Sequence, residues 1–517
     1  MTRASRNQQT SNCAQRGLRM RMGNVSIVET SSARSPMTRS SIAFAVLAAG
    51  LLASGCAGFS PDAGMGVVES AAAAELGKDV TKINSPDKEA HAAARVKQLL
   101  AKPLTPASAV QIALLNNRGL QAAYNELGIS EAQMVEASLP PAPRLGFARL
   151  VGSGGFEIER QIVQNVLALL TLPRRREIAE ARFRQAQVRA IEATLRIAAE
   201  TSRAYFRATA ANESVKFLVD AQASAQTISE LAKQLGETGA MAKLDQAREH
   251  VFYAEISGQV ATARLRQRVE KERLTRALGA WGADTAFRLP DKLTALPAKP
   301  TTLPWVESEA VRRRVDLAIA RMEIDILAKE LGLTRKTRFI NALEVAGVST
   351  TEKEIITDGG QSEIDKISHR GFDIDFQIPI YDFGESRVRL AEETYMRAVN
   401  RLLEKAVNAR SEAREAYQGY RGAYDIARHY DREVLPLRKI ISDETMLNYN
   451  AMIRDLFALL ADARARILAN VQAIEARRDF WLASVDLHTA IVGGRGGSEA
   501  ADAPSTATAG AAEPAGH

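Results

Sequence analysis

Two kinds of hydrophobic patterning alternate along this chain: long runs with no helix breaker, and short stretches in which apolar and polar residues strictly alternate. From Arg174 to Leu235 there is neither Gly nor Pro, a segment that as α-helix would be roughly 93 Å long at 1.5 Å per residue. Gly236 and Gly239 break it, and Ala240 to Leu278 returns with only Gly258 inside. The pattern recurs from Glu385 to Leu435, with Gly419 and Gly422 inside it, and after Pro436 from Leu437 to Val492. Segments so far beyond an ordinary helix of about 11 or 12 residues must find partners along their whole extent, as in coiled coils or α-barrels.

Alternation replaces these runs in two places. GFDIDFQI sets Phe372, Ile374, Phe376 and Ile378 against Asp373, Asp375 and Gln377, and FEIERQI sets Phe156, Ile158 and Ile162 against Glu157, Glu159 and Gln161. A membrane β-strand with lipid on one side and a wet lumen on the other reads this way. A soluble amphipathic hairpin reads the same. The arms of the first hairpin run about eight residues, against roughly 9 to 11 for a spanning strand. Between RFINALEVAGV and GFDIDFQIPIY, residues 348–368 read as a charged loop.

The halves of the chain repeat one another. EARFRQA (180–186) aligns with EETYMRA (392–398) at an offset of 212, which also places Ala204 and Tyr205 on Ala416 and Tyr417, and Leu244 on Leu456. RGLQAAYNELGISEAQ (118–133) matches VDLAIARMEIDILAKE (315–330) in pattern. An internal duplication is the economical reading. It divides the chain into a leader (1–55), a linker (56–90), a first repeat (91–280; helix, β-hairpin about 143–165, long helical hairpin), an inter-repeat linker (281–304), a second repeat (305–493; helix, β-hairpin about 337–381, long helical hairpin), and a Gly/Ala/Pro tail (494–517) expected to be disordered.

The N-terminus changes the charge argument. Ile42 to Ala53 is apolar but too short to cross a bilayer, and with Arg39 before it reads as the core of a secretory signal. LLASGC resembles a bacterial lipobox, which implies Cys56 as the lipidated first residue of the mature protein; an ordinary secretory signal with an incidental cysteine is the alternative. Residues 1–36 are Ser/Arg-rich, polar and unlike any signal, so Met37 is the better translation start. Ala57, where Asp would retain such a protein, favours delivery to the outer membrane. The leader holds seven arginines and one acid, a net +6 of the chain's +7. The mature chain is near neutral, so its basic pI is no evidence for nucleic acid. Cys13 also leaves with the leader, and the single remaining cysteine can form no internal disulfide. Aromatic residues are only 5% of the sequence, which suits long helices packed side by side.

No catalytic or metal-binding pattern emerges. The histidines at 91, 250, 369, 429, 488 and 517 are not spaced as ligands on a helix face, and there is no phosphate loop or nucleophile elbow. The chain reads as a non-enzyme with no cofactor.

A lipobox, then helix, β-hairpin and long helical hairpin, the last three repeated, resembles the TolC-like outer-membrane efflux proteins. The residues that carry the resemblance are LTPASAVQIALLNNRGLQAAYNELGISEAQ (104–133), IPIYDFGESRVRLAE (378–392) and LFALLADARARIL (456–468). It implies a mainly α fold with short membrane β-hairpins, in a homotrimer whose 12-stranded β-barrel continues as a long α-helical barrel. Two hairpins cannot close a barrel alone, and an open sheet edge in lipid leaves backbone groups unpaired, so other subunits must complete it.

The resemblance further implies a passive outer-membrane conduit served by an inner-membrane pump and a periplasmic adaptor. On this reading Glu157, Glu159, Asp373 and Asp375 face the lumen and favour cationic solutes, although an ordinary solvated face would look alike. Arg454 stands where the family has a gating arginine, whereas the family's aspartates fall near Ala458 and Ala461. Asp455, Asp462 and, more remotely, Asp245 are the acids left for a periplasmic gate. Gly236, Gly239, Asn450 and Ala451 permit tight reversals at the two helical tips, which would meet the adaptor. A type I secretion channel, and a lipid-anchored periplasmic coiled-coil scaffold with no pore, remain as alternatives.

Overall fold

The computed structural model describes residues 58–152, 155–358, 361–451, 453 and 456–493. Cys56, Arg454, Asp455, the leader and the 494–517 tail lie outside them.

The chain enters through helix α1 (Met65–Leu76), where the sequence reads as linker. The GVVESAAAAEL stretch looks like Gly/Ala-rich surface, but alanine is the best helix former, and Met65, Val68 and Ala72 lie on one helical face. All three are buried, in a cluster with Tyr124 and Leu127. The Ser60 backbone N–H donates to Glu131 Oε1 at 2.7 Å, so this entry segment is fastened rather than loose.

Next come α2 (Pro86–Leu100), α3 (Pro106–Asn116) and α4 (Arg118–Ser138). A single non-helical residue, Asn117, separates α3 from α4 with φ −69° and ψ 113°. Its side chain caps α4 by accepting the Leu120 N–H and donates to the Ala277 carbonyl at 3.1 Å. Strands β1 (Arg144–Gly152) and β2 (Gly155–Asn165) follow, with arms of 9 and 11 residues, longer than the eight that alternation alone marks.

The 72-residue helix α5 (Val166–Glu237) starts directly at the end of β2, its N-terminus capped by Asn165. At about 1.5 Å per residue it spans roughly 108 Å. It begins eight residues before the Gly/Pro-free run, because Pro173 is taken into the helix at the cost of one backbone hydrogen bond. Helix α6 (Lys243–Leu278) returns along it.

Residues 281–304 form a 3₁₀ turn (Gly282–Thr285) and then an irregular strap. Phe287 and Leu293 are buried, and Tyr424 Oη donates to the carbonyls of Pro297 and Ala298 at 3.1 and 3.0 Å.

The second half opens with α7 (Val306–Arg313) and α8 (Val315–Lys336), again separated by one residue, Arg314, at φ −60° and ψ 121°. Strands β3 (Ala342–Asp358) and β4 (Gln361–Gln377) then pair along 17 residues each. The expected charged loop at 348–368 is therefore mostly strand. Its β-branched Val348, Thr350 and Thr351 favour extended backbone, and ladder hydrogen bonds are indifferent to charged side chains that water can reach.

Helix α9 (Glu385–His429), a π turn (Tyr430–Val434) and α10 (Leu435–Asn450) run on without a break. Pro436 does not end the helix. It lacks an N–H to donate, and the wider π turn just before it absorbs the misfit. Helix α11 (Leu456–Val492) closes the fold.

The core is centred on α5, which packs with α3, α4 and α6 on one side and with α7, α9 and α11 on the other. Alanines at or near zero exposure, such as Ala208, Ala409, Ala413, Ala473 and Ala490, let helices approach closely, which explains how so few aromatics suffice. Phe480 is the main exception, packed against Tyr420, Tyr424 and Trp481 with ring centroids 5.1–5.7 Å apart. Among the described residues no helix is long and apolar enough to cross a membrane.

Candidate functional site: the strand faces and the helical tips

The four strands form one antiparallel sheet in the order β1-β2-β3-β4. Its register fixes which side chains share a face. Glu157 pairs with Leu150 and Glu352, Glu159 with Ala148 and Thr350, and Ala346 with both Val163 and Asp373. Asp375 pairs with Glu344, which is paired in turn with Asn165. Because side chains alternate in pleated strands, Glu157, Glu159, Asp373 and Asp375 stand on one face together with Glu344 and Glu352. Direct cross-strand neighbours of like charge repel. Among the described residues a cation answers them at the proximal end, where Arg144 pairs with Glu344.

The other face carries Leu145, Phe147, Val151, Ile162, Phe372, Ile374 and Phe376, all exposed. The outer edges of β1 and β4 have no strand beside them among the described residues.

At the junction of sheet and helices, Asp382 accepts the N–H groups of Gly384 and Ser386 at 2.9 and 3.3 Å. The Ser386 hydroxyl and these amides hold its carboxyl below the usual carboxylate range. Gly384 has φ +73°, and a Cβ there would stand 2.2 Å from the Arg338 carbonyl oxygen. Only glycine lets β4 turn into α9 so close to the end of α8.

At the opposite end of α5 the chain reverses at 238–242. Gly239, at φ +77°, supplies the left-handed residue, and the Ala240 and Met241 N–H groups both donate to the Leu235 carbonyl. Gly236 is the second-last residue of α5, where the Gln246 side chain fills the space a Cβ would need. Asn450 ends α10, and Ala451 donates to the Leu447 carbonyl as the second reversal begins. Leu244, Met446, Leu447 and Ile453 are exposed apolar residues around these tips.

The acids near the tips differ from one another. Asp245 lies in the first turn of α6, where the helix dipole favours it, and pairs with Arg248 at 3.3 Å. Asp462 is 8% exposed, and neither of its carboxylate oxygens has a hydrogen-bond partner among the described residues. Sequence reading passes over Glu249 on α6, which is 1% exposed with both oxygens likewise unpartnered. It sits in a helical run with no local mark of burial. Desolvation pushes its carboxyl up from the ordinary 4.5, with Arg464 on α11 opposing the rise and Asp245 adding to it.

A carboxyl raised in the folded state penalises folding above its folded pKa, and the penalty disappears below its unfolded value. Glu249→Gln is accordingly expected to raise the thermal midpoint by a few degrees near neutral pH and to leave it unchanged below pH 4.5. Melting curves followed by helical circular dichroism across that range check it, and an equal shift at both ends would contradict the buried-charge account.

Among the described residues no cluster of His, Cys, Asp or Glu is placed to hold a metal ion.

No protein-family model and no curated protein matches the sequence. Solved structures do match the fold. CusC, in a study of folding and transmembrane channel formation, is 15% identical with a TM-score of 0.61, over 78% of this chain and 92% of that one. The outer-membrane channel OprN is 17% identical with a TM-score of 0.60, over 82% and 95%. The open-state MtrE outer-membrane channel of Neisseria gonorrhoeae is 15% identical with a TM-score of 0.60, over 77% and 89%. At these identities the likeness is one of fold, and the fold is that of the TolC-like channels which the sequence resembles.

Proposed function

We propose that three copies of this chain close their four-stranded sheets into one 12-stranded barrel in the outer membrane. The long helices then continue it as a tunnel through the periplasm. The protein is a passive conduit to the exterior for substrates that an inner-membrane pump and a periplasmic adaptor deliver. It carries out no reaction and needs no cofactor.

One observation carries this reading: a sheet apolar on one face and acidic on the other, with both edges open, passes directly into a 72-residue helix. An isolated open sheet in lipid would leave backbone groups unpaired, and closure with neighbouring copies removes both edges. The acidic face then lines the lumen and the tips meet the adaptor. On this reading Asp462 and Asp245 stand near the periplasmic mouth, Arg454 and Asp455 are gate candidates by sequence alone, and lipid on Cys56 adds a tether that a single anchor alone would make weak.

The internal duplication has support in matching geometry. Asn117 and Arg314, 197 residues apart, break two helix pairs with nearly the same φ and ψ. Tyr205 Oη donates to the Leu104 carbonyl ahead of α3, and Tyr417 Oη accepts from the Leu303 N–H ahead of α7.

The test is native mass and single-channel recording on the full chain purified with its lipid. A trimer that conducts ions after reconstitution is the expected result. A non-conducting monomer or dimer that stays soluble once the lipid is removed would point to the periplasmic scaffold instead.

A further inference from the structure

The sheet separates charge by sign as well as polarity. Arg149, Arg160, Lys353, Lys366 and Arg370 all stand on the apolar face, and no Asp or Glu shares it among the described strand residues. They are also gathered at one end. Arg160 pairs with Ser349, which pairs with Arg370 on a single rung; Arg149 lies two rungs nearer the hairpin turns, and Lys353 and Lys366 pair with each other two rungs further. At about 3.4 Å per residue and 4.8 Å between strands, the five cations cover roughly 14 Å along the strands and 14 Å across them. The Phe156 ring sits among them, with the Arg149 guanidinium 5.3 Å and Lys353 Nζ 5.4 Å from its centroid.

The proximal part of the same face is apolar. Phe372, Ile374 and Phe376 are exposed there, and exposed apolar residues continue past the strand end at Ile378, Ile380, Tyr381 and Phe383. Strands tilted about 40° cross a hydrocarbon band roughly 25 Å tall. From Phe376 to Arg370 is about 20 Å of strand, which at that tilt rises only about 15 Å, so a band of about 25 Å that ends where the cations begin also takes in the exposed apolar junction at Ile378 and Ile380. A lipid-facing arginine is costly at the bilayer midplane and tolerated near the interface.

We propose, on the basis of the conduit reading, that Arg149, Arg160, Lys353, Lys366 and Arg370 bind phosphate groups of anionic lipid headgroups in the outer leaflet and fasten each protomer at its exterior rim. Guanidinium forks match phosphate oxygens bidentately. The spread of the cluster fits a headgroup with more than one phosphate, and its continuity with the apolar belt favours a lipid over a free anion.

The full-length trimer would be reconstituted in phosphatidylcholine vesicles with and without a tenth of a diphosphorylated glucosamine lipid, and the lipid retained on extraction read by native mass spectrometry. Wild type is expected to retain the diphosphorylated lipid preferentially, and millimolar inorganic phosphate should not displace it. The variant R149Q/R160Q/K353Q/K366Q/R370Q should lose that preference by on the order of tenfold or more while still conducting. R149K/R160K/R370K should keep most of it. If the fivefold variant does not assemble, K353Q/K366Q serves, with a smaller loss in the same direction.

Equal retention by wild type and the glutamine variants would overturn the proposal and leave the conduit standing. Displacement by free phosphate would overturn the lipid as its occupant. A chain that inserts into neither vesicle would instead overturn the conduit reading.

Discussion

Arg314→Ala is expected to destabilise the folded protomer by about 3–5 kcal/mol, the range for removing one partner from a buried ion pair. Arg314 is the single residue between α7 and α8, and its side chain is 7% exposed. It makes two parallel bonds to Asp316, Nε to Oδ1 at 3.0 Å and Nη2 to Oδ2 at 2.8 Å, and its Nη1 reaches Glu412 Oε2 on α9 at 2.6 Å. One guanidinium thus holds the break between two helices against a third.

The pKa directions carry the sign. Burial would raise the Asp316 carboxyl, but Arg314 outweighs it and holds the group below the ordinary 3.8. The wild-type ion pair therefore contributes stability above pH 3.8 that is lost as pH falls through the lower folded value. With alanine at 314, two carboxylates share a desolvated site with no guanidinium between them, so the same acidification should relieve the variant rather than weaken it.

Thermal unfolding of the two proteins across that range reads the reversal. Arg314→Lys keeps the charge but not the fork and should fall between them. R314L/D316L/E412L, which removes the three charges of the node and leaves Lys405 near it, should recover much of the loss, because apolar replacement of a buried ion cluster is often neutral or better. If that triple variant is as unstable as R314A, the node acts by packing rather than by charge.

This node also marks the limit of what the sequence discloses. The alternation in GFDIDFQI is a local signal, and it leads correctly to β4 and to a face shared by Asp373 and Asp375. Runs without Gly or Pro are equally local, and they find the long helices but not all of their ends: Pro173 and Pro436 lie inside helices, and the reversal after Asn450 falls within a run that has neither residue. The breaks at Asn117 and Arg314 have no such mark, since neither residue is a helix breaker by type. Each is held open from elsewhere in the chain, by the Ala277 carbonyl in one case and by Glu412 in the other.

Glu249 and Asp462 are both buried, and nothing in their local sequence announces it; the cation that faces Glu249, Arg464, lies 215 residues away. Helix α1 was open to reading from Met65, Val68 and Ala72, but twelve residues of weak amphipathicity do not distinguish a packed helix from a surface one. For the candidate site, the type and shared face of Glu157, Glu159, Asp373 and Asp375 are legible, while their cross-strand neighbours Glu344 and Glu352 become visible only with the register.

Neutralising four carboxylates of the acidic face, as E157Q/E159Q/D373N/D375N, is expected to reduce the cation-over-anion permeability ratio of the reconstituted channel several-fold, with Glu344 and Glu352 keeping a residual cation preference, and with little change in conductance at high salt. In the proposed trimer each of these carboxylates occurs three times around one lumen, and low-dielectric walls focus the field of such rings on the solution they enclose. The substitutions are nearly isosteric and leave the backbone ladder intact, so barrel closure should survive them. Relief of like-charge pairs, such as Glu157 opposite Glu352, should if anything stabilise it.

Ionic strength separates the field from simple pore geometry. The Debye length falls from about 30 Å at 0.01 M to about 3 Å at 1 M, so wild type and variant should differ greatly in dilute salt and converge in concentrated salt. Reversal potentials under a salt gradient measure the ratio directly. R160Q on the apolar face is the control, since a residue turned to lipid should leave the ratio unmoved. A wild-type ratio near unity in dilute salt, or a ratio that R160Q alters as much as the fourfold variant does, would mean that the acidic face does not line the conduit, and the assignment of the two faces would have to be reversed.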